Sequence, residues 1–162
     1  MSTIFKKLNL ANQNPILVLN APDTFDTELQ QLVNVEVIRK SNRKKKADFG
    51  IAFAITQQDL DDLSQQLIES IPGDAVLWIA YPKGTSKQYR CEFNRDTGWT
   101  VLGKAGFEPV RQVSIDSDWT ALRFRKVEFI KSLTRRTSMA ISAEGKQITS
   151  QESPKTTKTS RK

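Results

Sequence analysis

The sequence predicts an α/β domain: a three-layer doubly wound sheet, mostly parallel, with an antiparallel C-terminal hairpin at its edge. Three observations support this fold class. Short continuous apolar runs come first along the chain, as expected of strands buried on both faces. Segments with apolar residues at helical spacing separate them. The last two strand-like segments alternate apolar and polar residues across a short polar turn, which is typical of an antiparallel hairpin.

The first half of the chain reads as β-α-β-β-α-β. Apolar runs predict strands at residues 16–19, 35–38, 47–55 and 75–81. Phe25, Leu29 and Leu32 recur at helical spacing between the first two strands. Thr56 is a good N-cap for a second helix, whose apolar stripe ends before Pro72-Gly73.

The second half adds a short helix and the hairpin. Asn94 is a plausible cap for a helix through Trp99 and Leu102. Alternating residues predict strands at 110–115 and 119–130, joined by the turn at 116–118. We therefore expect a flexible N-terminal arm at residues 1–14, one α/β domain at 15–130 and a disordered tail at 131–162.

The positive charge of the chain is concentrated in that tail. Residues 131–162 hold eight Lys or Arg and two acidic residues, a charge of +6 out of a net +7 for the whole chain. The remaining residues are therefore almost neutral, so the basic isoelectric point of the whole chain, about 9.6, is only weak evidence that the domain binds nucleic acid. The basic composition of the tail favours one of two functions. The tail either associates nonspecifically with nucleic acid through electrostatics or aids solubility.

Composition argues against several classes of function. There is no histidine, which excludes Ser-His-Asp and Cys-His catalysis and the commonest metal ligand. Cys91 is alone, so no internal disulfide forms and a zinc site is disfavoured. No apolar run approaches the roughly 20 residues that cross a bilayer, and no secretory signal opens the chain. We expect a cytoplasmic protein with no membrane partner, no metal and no cofactor.

The loop after the most apolar strand is the first candidate site. Ligands bind outside the carboxyl ends of strands in open α/β sheets, and a glycine allows close backbone approach. This loop offers cationic and hydroxyl groups that suit a phosphate or carboxylate. An ordinary solvated loop is the alternative. The segment does not match a Walker loop. The segment runs from Tyr81 to Lys87, and Arg90 and Arg95 extend it. Its anion-binding candidates are Lys83, Gly84, Thr85, Ser86, Lys87 and Arg95.

Two further segments carry polar side chains with alternative interpretations. Asp116 and Asp118 could bind a metal or share a proton, or could simply form a hairpin turn, which we favour because no third ligand is evident. Arg111, Arg123 and Arg125 alternate on the hairpin strands. They could form a cationic face that binds nucleic acid or an acidic partner. The alternative, which we prefer, is an ordinary exposed polar face of the sheet.

Four stretches of the chain resemble a family of small bacterial proteins that has no assigned activity. They are LWIAYPKGTSK (77–87), RDTGW (95–99), GFEPVRQVSID (106–116) and WTALRFR (119–125). The resemblance runs from about residue 15 to residue 130 and excludes the tail. It implies a bacterial cytoplasmic protein but no catalytic residues. It singles out the polar positions Lys83, Ser86, Lys87, Arg95, Asp116, Trp119 and Arg123.

These observations lead to three hypotheses of function. The first is a non-enzymatic binding or regulatory module that recognises an anionic small molecule or a protein partner. The second is a small enzyme in which Lys83 or Lys87 polarises a phosphate or carbonyl and Asp116 or Asp118 acts as base. The third is nucleic-acid association through the tail and the basic loop at residues 39–46. The expected anion-binding residues are Lys83, Gly84, Thr85, Ser86, Lys87, Arg95, Asp116, Trp119 and Arg123.

Overall fold

A six-stranded mixed sheet organises the protein, whose computed structural model describes residues 3–42 and 44–130. The strand order is β2-β1-β3-β4-β6-β5. In chain order the elements are α1 (Thr3–Lys7), β1 (Ile16–Leu19), α2 (Asp26–Gln30), β2 (Val37–Ile38), β3 (Phe49–Phe53), α3 (Gln57–Ser70), β4 (Val76–Pro82), α4 (Thr100–Lys104), β5 (Phe107–Ser114) and β6 (Trp119–Lys126).

The sheet confirms the predicted α/β fold class. Strands β1 to β4 pair in parallel, and the hairpin β5–β6 is antiparallel and lies at one edge. Within the hairpin the later strand, β6, is the one that pairs with β4, also antiparallel, so β5 is outermost. The insertion of β6 brings the start of β6 beside the end of β4, where Pro82 pairs with Trp119.

Helices cover both faces of the sheet and give it two apolar cores. One core packs α3 and α4 against one face, through residues such as Leu60, Leu67 and Leu102. The other packs α1 and the segment around α2 against the opposite face, through Phe5 and Phe25. Strands β1, β3 and β4 are buried along their whole length because each faces a core on both sides, as their continuous apolar runs predict.

The helix after β3 forms where the sequence predicts it. The Thr56 hydroxyl accepts a hydrogen bond from the Asp59 amide at 3.0 Å, which caps α3. The helix then approaches β3 very closely at Gly50. A Cβ there would lie 2.7 Å from Cδ1 of Ile71. Glycine is therefore the residue that lets this end of α3 lie flat on the sheet.

The N-terminal segment differs from the expected flexible arm. Although the segment is mostly polar, the side chains of Phe5 and Leu8 are fully buried. The indole Nε1 of Trp78 on β4 donates a 2.9 Å hydrogen bond to the Leu8 carbonyl, so the segment is tied to the sheet by polar contact as well. Burial of these side chains stabilises the segment by roughly 1.5–3 kcal/mol each.

The basic tail lies outside the described residues, so its expected disorder stays a prediction. Among the described residues, no helix is long and apolar enough to cross a membrane.

Candidate functional site

The carboxyl ends of the parallel strands share one edge of the sheet. At this edge the chain order reverses between β1 and β3, because β2 lies on one side of β1 and β3 on the other. Ligands of open α/β sheets bind at such a topological switch point. The edge therefore offers two places for a ligand, the switch point and the end of β4.

A large open cleft lies at the end of β4. Its volume is about 900 Å³, which falls within the range usual for small-molecule sites. The end of β4, the loop after it and the hairpin strands contribute the lining. The lining residues are Tyr81, Pro82, Lys83, Gly84, Thr85, Ser86, Tyr89, Arg90, Cys91, Glu92, Phe93, Asn94, Arg95, Gln112 and Thr120.

Three polar side chains form a connected network in the cleft. The amide Nε2 of Gln112 on β5 donates to the Tyr81 hydroxyl at 3.4 Å and to Oγ1 of Thr120 at 3.2 Å. The Thr120 hydroxyl in turn donates to the Val113 carbonyl at 3.2 Å. No described residue accepts a hydrogen bond from the Tyr81 hydroxyl, so its proton is available to a ligand.

Burial strengthens the hold of the Tyr81 hydroxyl on its proton, which an ordinary tyrosine also keeps at neutral pH. Desolvation of the ring and hydroxyl raises the pKa of Tyr81 to about 12, against the opposing effect of the Arg95 charge. The hydroxyl is therefore neutral at physiological pH. It can donate a hydrogen bond, and it is too weak an acid to serve as a phenolate base.

Aromatic rings form one wall of the cleft. The Tyr81 ring centroid lies 5.6 Å from that of Phe93 and 5.7 Å from that of Trp99, and the Phe93 and Trp99 rings meet edge to face at 5.3 Å. The Trp99 Nε1 donates to the Asn94 carbonyl at 2.9 Å. These contacts hold the wall rigidly while Phe93 faces the cleft.

The loop after β4 is fastened to the turn of the hairpin. The Lys83 amide donates to the Asp118 carbonyl at 2.8 Å, and the Ser86 hydroxyl donates to Oδ1 of Asp118 at 2.8 Å. The Ser86 oxygen also accepts from the Tyr89 amide at 3.1 Å. Lys83 Nζ donates to Oγ of Ser114 at 2.7 Å. The two segments singled out from sequence therefore meet in space.

The structure separates the predicted anion-binding residues into two groups. Five of them line the cleft, namely Lys83, Gly84, Thr85, Ser86 and Arg95. The other four lie outside its lining, namely Lys87, Asp116, Trp119 and Arg123. The residue set as a whole stays a prediction.

The carboxylates of the hairpin turn are engaged in local structure. Oδ1 of Asp116 accepts from the amides of Asp118 and Trp119, each at 2.8 Å. The hydrogen bonds of Asp116 are therefore those of a hairpin turn, the alternative that we favoured from the sequence. In the described part of the chain, no group of three or more metal-ligating side chains forms.

Two other potentially reactive groups line the cleft, the Glu92 carboxylate and the Cys91 thiol. An oxygen of Glu92 accepts from the Gln57 amide at 2.9 Å, at the start of α3. Burial raises the pKa of the Cys91 thiol, which keeps it in its protonated, weakly nucleophilic form at neutral pH.

At the switch point, in contrast, the Phe25 ring packs against Phe53, and the ring contacts continue through Trp119 to Tyr89. Ring centroids lie 4.8 Å apart for Phe25 and Phe53, 5.2 Å for Phe53 and Trp119, and 5.1 Å for Trp119 and Tyr89. We call this set the aromatic row. Asn20, at the end of β1, donates from Nδ2 to the Phe53 carbonyl at 2.8 Å and bridges β1 to β3.

Sequence reasoning included Tyr81 in the candidate segment but gave it no role, and it missed Gln112 and Thr120. All three lie on strands, where the sequence predicts burial or alternation but no site. They come together because β6 pairs with β4 and β5 pairs with β6. The one available signal was the position of Tyr81 at the end of the most apolar strand, beside Pro82.

No protein-family model matches the chain, and the curated proteins contain no match. Solved structures similar in fold include a ribosomal protein L11 methylase from Lactobacillus delbrueckii subsp. bulgaricus, with 13% identity, a TM-score of 0.46, and coverage of 76% of this chain and 77% of that one. The N-methyltransferase NodS from Bradyrhizobium japonicum, in complex with S-adenosyl-L-homocysteine, has 10% identity and a TM-score of 0.48. The match covers 76% of this chain and 84% of that one. The glycopeptide N-methyltransferase MtfA, complexed with sinefungin, has 6% identity and a TM-score of 0.48. The match covers 75% of this chain and 90% of that one.

These matches correct the functional expectation drawn from the sequence. A non-enzymatic binding or regulatory module was expected, with a lysine–aspartate enzyme or tail-driven nucleic-acid association as alternatives, and the matched proteins are methyltransferases. The expectation is therefore wrong. At such low identity the likeness itself shows the fold alone.

Proposed function

We propose that the protein is an enzyme whose substrate is a small planar organic molecule, bound in the cleft beyond β4. The observation that carries this proposal is the Tyr81 hydroxyl. It faces a cavity of about 900 Å³, accepts from Gln112 and has a proton to donate. A carbonyl oxygen or ring nitrogen on the substrate fits this donor, which would polarise it.

The wall and rim of the cleft define the rest of the substrate. Tyr89 and Phe93 present aromatic surface to the cavity, which favours a flat ring. Of the lining residues, Lys83, Arg90 and Arg95 are cationic and Glu92 is acidic. A carboxylate or phosphate substituent on the ring would therefore be bound more tightly than a neutral one.

The methyl donor of the matched enzymes is a separate question. Two of them were solved with S-adenosyl-L-homocysteine or sinefungin, which are nucleosides. Dinucleotide sites in α/β sheets use a glycine-rich turn after the first strand and an acidic residue that binds a ribose hydroxyl, a group that these nucleosides share. Here Asn20-Ala21-Pro22 follows β1, Arg39 follows β2, and the aromatic row fills the switch point. The residues present do not fit such a nucleoside there, and no reaction step is assigned to one.

The finer expectations about compartment and family belong to the same proposal. A cytoplasmic location is favoured by the single Cys91. Membership of the small bacterial family rests on the four stretches quoted above. The proposed function of the cleft involves a small molecule and requires no protein or nucleic-acid partner.

Titration calorimetry with the full chain tests the proposal. The probes are nicotinate and benzoate, which share a flat ring and carboxylate, with cyclohexanecarboxylate as the non-planar control and S-adenosyl-L-homocysteine as the nucleoside control. We expect nicotinate to bind most tightly, because its ring nitrogen accepts from Tyr81. Tyr81→Phe should weaken nicotinate binding by about tenfold, the value of one hydrogen bond.

The other tyrosine of the chain supplies the matched variant. Tyr89→Phe removes a hydroxyl from the same cleft and should leave nicotinate affinity within about twofold. Equal binding of the planar and non-planar acids, or undiminished nicotinate binding by Tyr81→Phe, would contradict the proposal.

A further inference from the structure

Two arginines lie side by side on the sheet face opposite the cleft. Arg111 on β5 is the register partner of Arg123 on β6, and Arg123 is also the register partner of Trp78 on β4. Directly opposed residues of a sheet share a face, with Cβ atoms about 5 Å apart. This arginine pair therefore lies on the face that α1 covers through Phe5 and Leu8.

Neither arginine of the pair makes an ion-pair contact with a described residue. The nearby acidic group, Asp74, is held by Arg125, whose Nε and Nη2 donate to its two carboxylate oxygens at 2.9 and 2.5 Å. Arg111 has one long hydrogen bond, 3.4 Å from Nη1 to Oδ1 of Asn9. No described residue accepts a hydrogen bond from Arg123, and its Nε is fully covered by protein.

This arrangement is unfavourable in the free protein. Like charges directly opposite one another in a sheet destabilise it. Burial lowers the pKa of Arg123, the charges of Arg125 and Arg111 act in the same direction, and the Asp74 charge acts against them. An anion placed between the two guanidinium groups would relieve both the repulsion and the missing hydrogen bonds.

We propose that Arg111 and Arg123 form a binding site for a phosphate-type oxyanion, separate from the cleft. Planar guanidinium groups match phosphate oxygens with paired N–H donors. Two of them on adjacent strands can hold a single tetrahedral anion from two sides. The anion is either inorganic phosphate or the phosphate ester of a small organic molecule.

Titration calorimetry of the full chain in a phosphate-free buffer tests this site, with inorganic phosphate and O-phosphoserine as the two probes. We expect binding of at least one, with sodium chloride at equal ionic strength giving none. Tighter binding of O-phosphoserine identifies an ester ligand, and equal or weaker binding identifies inorganic phosphate. Arg111→Gln and Arg123→Gln should each lower the affinity by at least about tenfold.

Two controls separate this site from the cleft and from misfolding. Arg95→Gln removes a cleft arginine and should leave phosphate affinity unchanged, while Arg123→Gln should leave nicotinate binding unchanged. Without phosphate, Arg123→Gln should melt no lower than the wild type, because it removes an unbalanced charge.

Three results with the phosphate probes would each overturn the site. They are no phosphate binding by the wild type, full affinity in Arg123→Gln, and loss of affinity in Arg95→Gln alone. Binding of a poly-glutamate peptide without binding of either phosphate probe would also overturn it, in favour of an acidic protein partner.

Discussion

The switch point and the cleft lie on the same edge of one sheet, yet they are built in opposite ways. At the switch point, Phe25, Phe53 and Trp119 close the space with rings that contact one another, and Asn20 bonds β1 to β3. At the cleft, Tyr81 and Gln112 leave polar atoms facing a cavity. Topology makes both places available, and the side chains that follow each strand decide which one is open.

The largest expected effect is at the closed region. Phe53→Ala should destabilise the protein by about 3–5 kcal/mol, because it removes a buried ring that contacts both Phe25 and Trp119. Urea unfolding measures this loss. Phe129→Ala is the matched control, since Phe129 is 37% exposed, and it should cost far less. Equal costs for the two variants would mean that the aromatic row is not a packed unit.

A smaller effect is expected where the cleft loop is fastened. Ser86→Ala removes the hydrogen bonds to Asp118 and from the Tyr89 amide, which should cost about 1–2 kcal/mol and speed hydrogen exchange at Tyr89. Ser117→Ala, an exposed serine of the same turn, should change neither quantity. Unchanged exchange in Ser86→Ala would show that the loop is held by something else.

High pH provides a third comparison. The folded protein keeps the Tyr81 proton up to about pH 12, whereas an unfolded tyrosine loses it near pH 10. The unfolded state then binds fewer protons, so the free energy of unfolding falls as pH rises through this window. Urea midpoints at pH 9, 10 and 11 should fall more steeply for the wild type and Tyr89→Phe than for Tyr81→Phe. Parallel slopes in all three proteins would contradict the buried hydroxyl.

The smallest effect concerns the thiol of the cleft. Because burial raises the pKa of Cys91, its alkylation by iodoacetamide at pH 7 should be slower than that of free glutathione. The chain has one cysteine, so the labelling signal belongs to it alone. Reaction faster than glutathione would point to an activated thiol and to a nucleophile in the cleft.

Elements that depend on local pattern were predictable from the sequence. The apolar runs of β1, β3 and β4 require burial on both faces, and Thr56 with Asp59 specifies the start of α3. The N-terminal segment was not predictable in this way. Its apolar residues Ile4, Phe5, Leu8 and Leu10 stand in a short stretch among lysines and asparagines, and Phe5 is buried only because a sheet is there to cover.

Long-range pairing explains what the sequence missed at the site. Alternation predicts that the segments of Gln112 and Thr120 are strands, but it does not say which neighbour each strand pairs with. Only the insertion of β6 beside β4 brings these side chains to Tyr81. The contact between the loop of Lys83 and the turn of Asp118 arises from the same pairing.

Amide chemical-shift mapping of the labelled full chain with nicotinate tests the account most directly. The account predicts that the largest shifts fall in residues 83–95 and at Gln112 and Thr120, with little change at Asn20 and Ala21. Largest shifts in residues 20–25 and 54–56 would contradict it, because they would place the ligand at the switch point and show that the aromatic row opens.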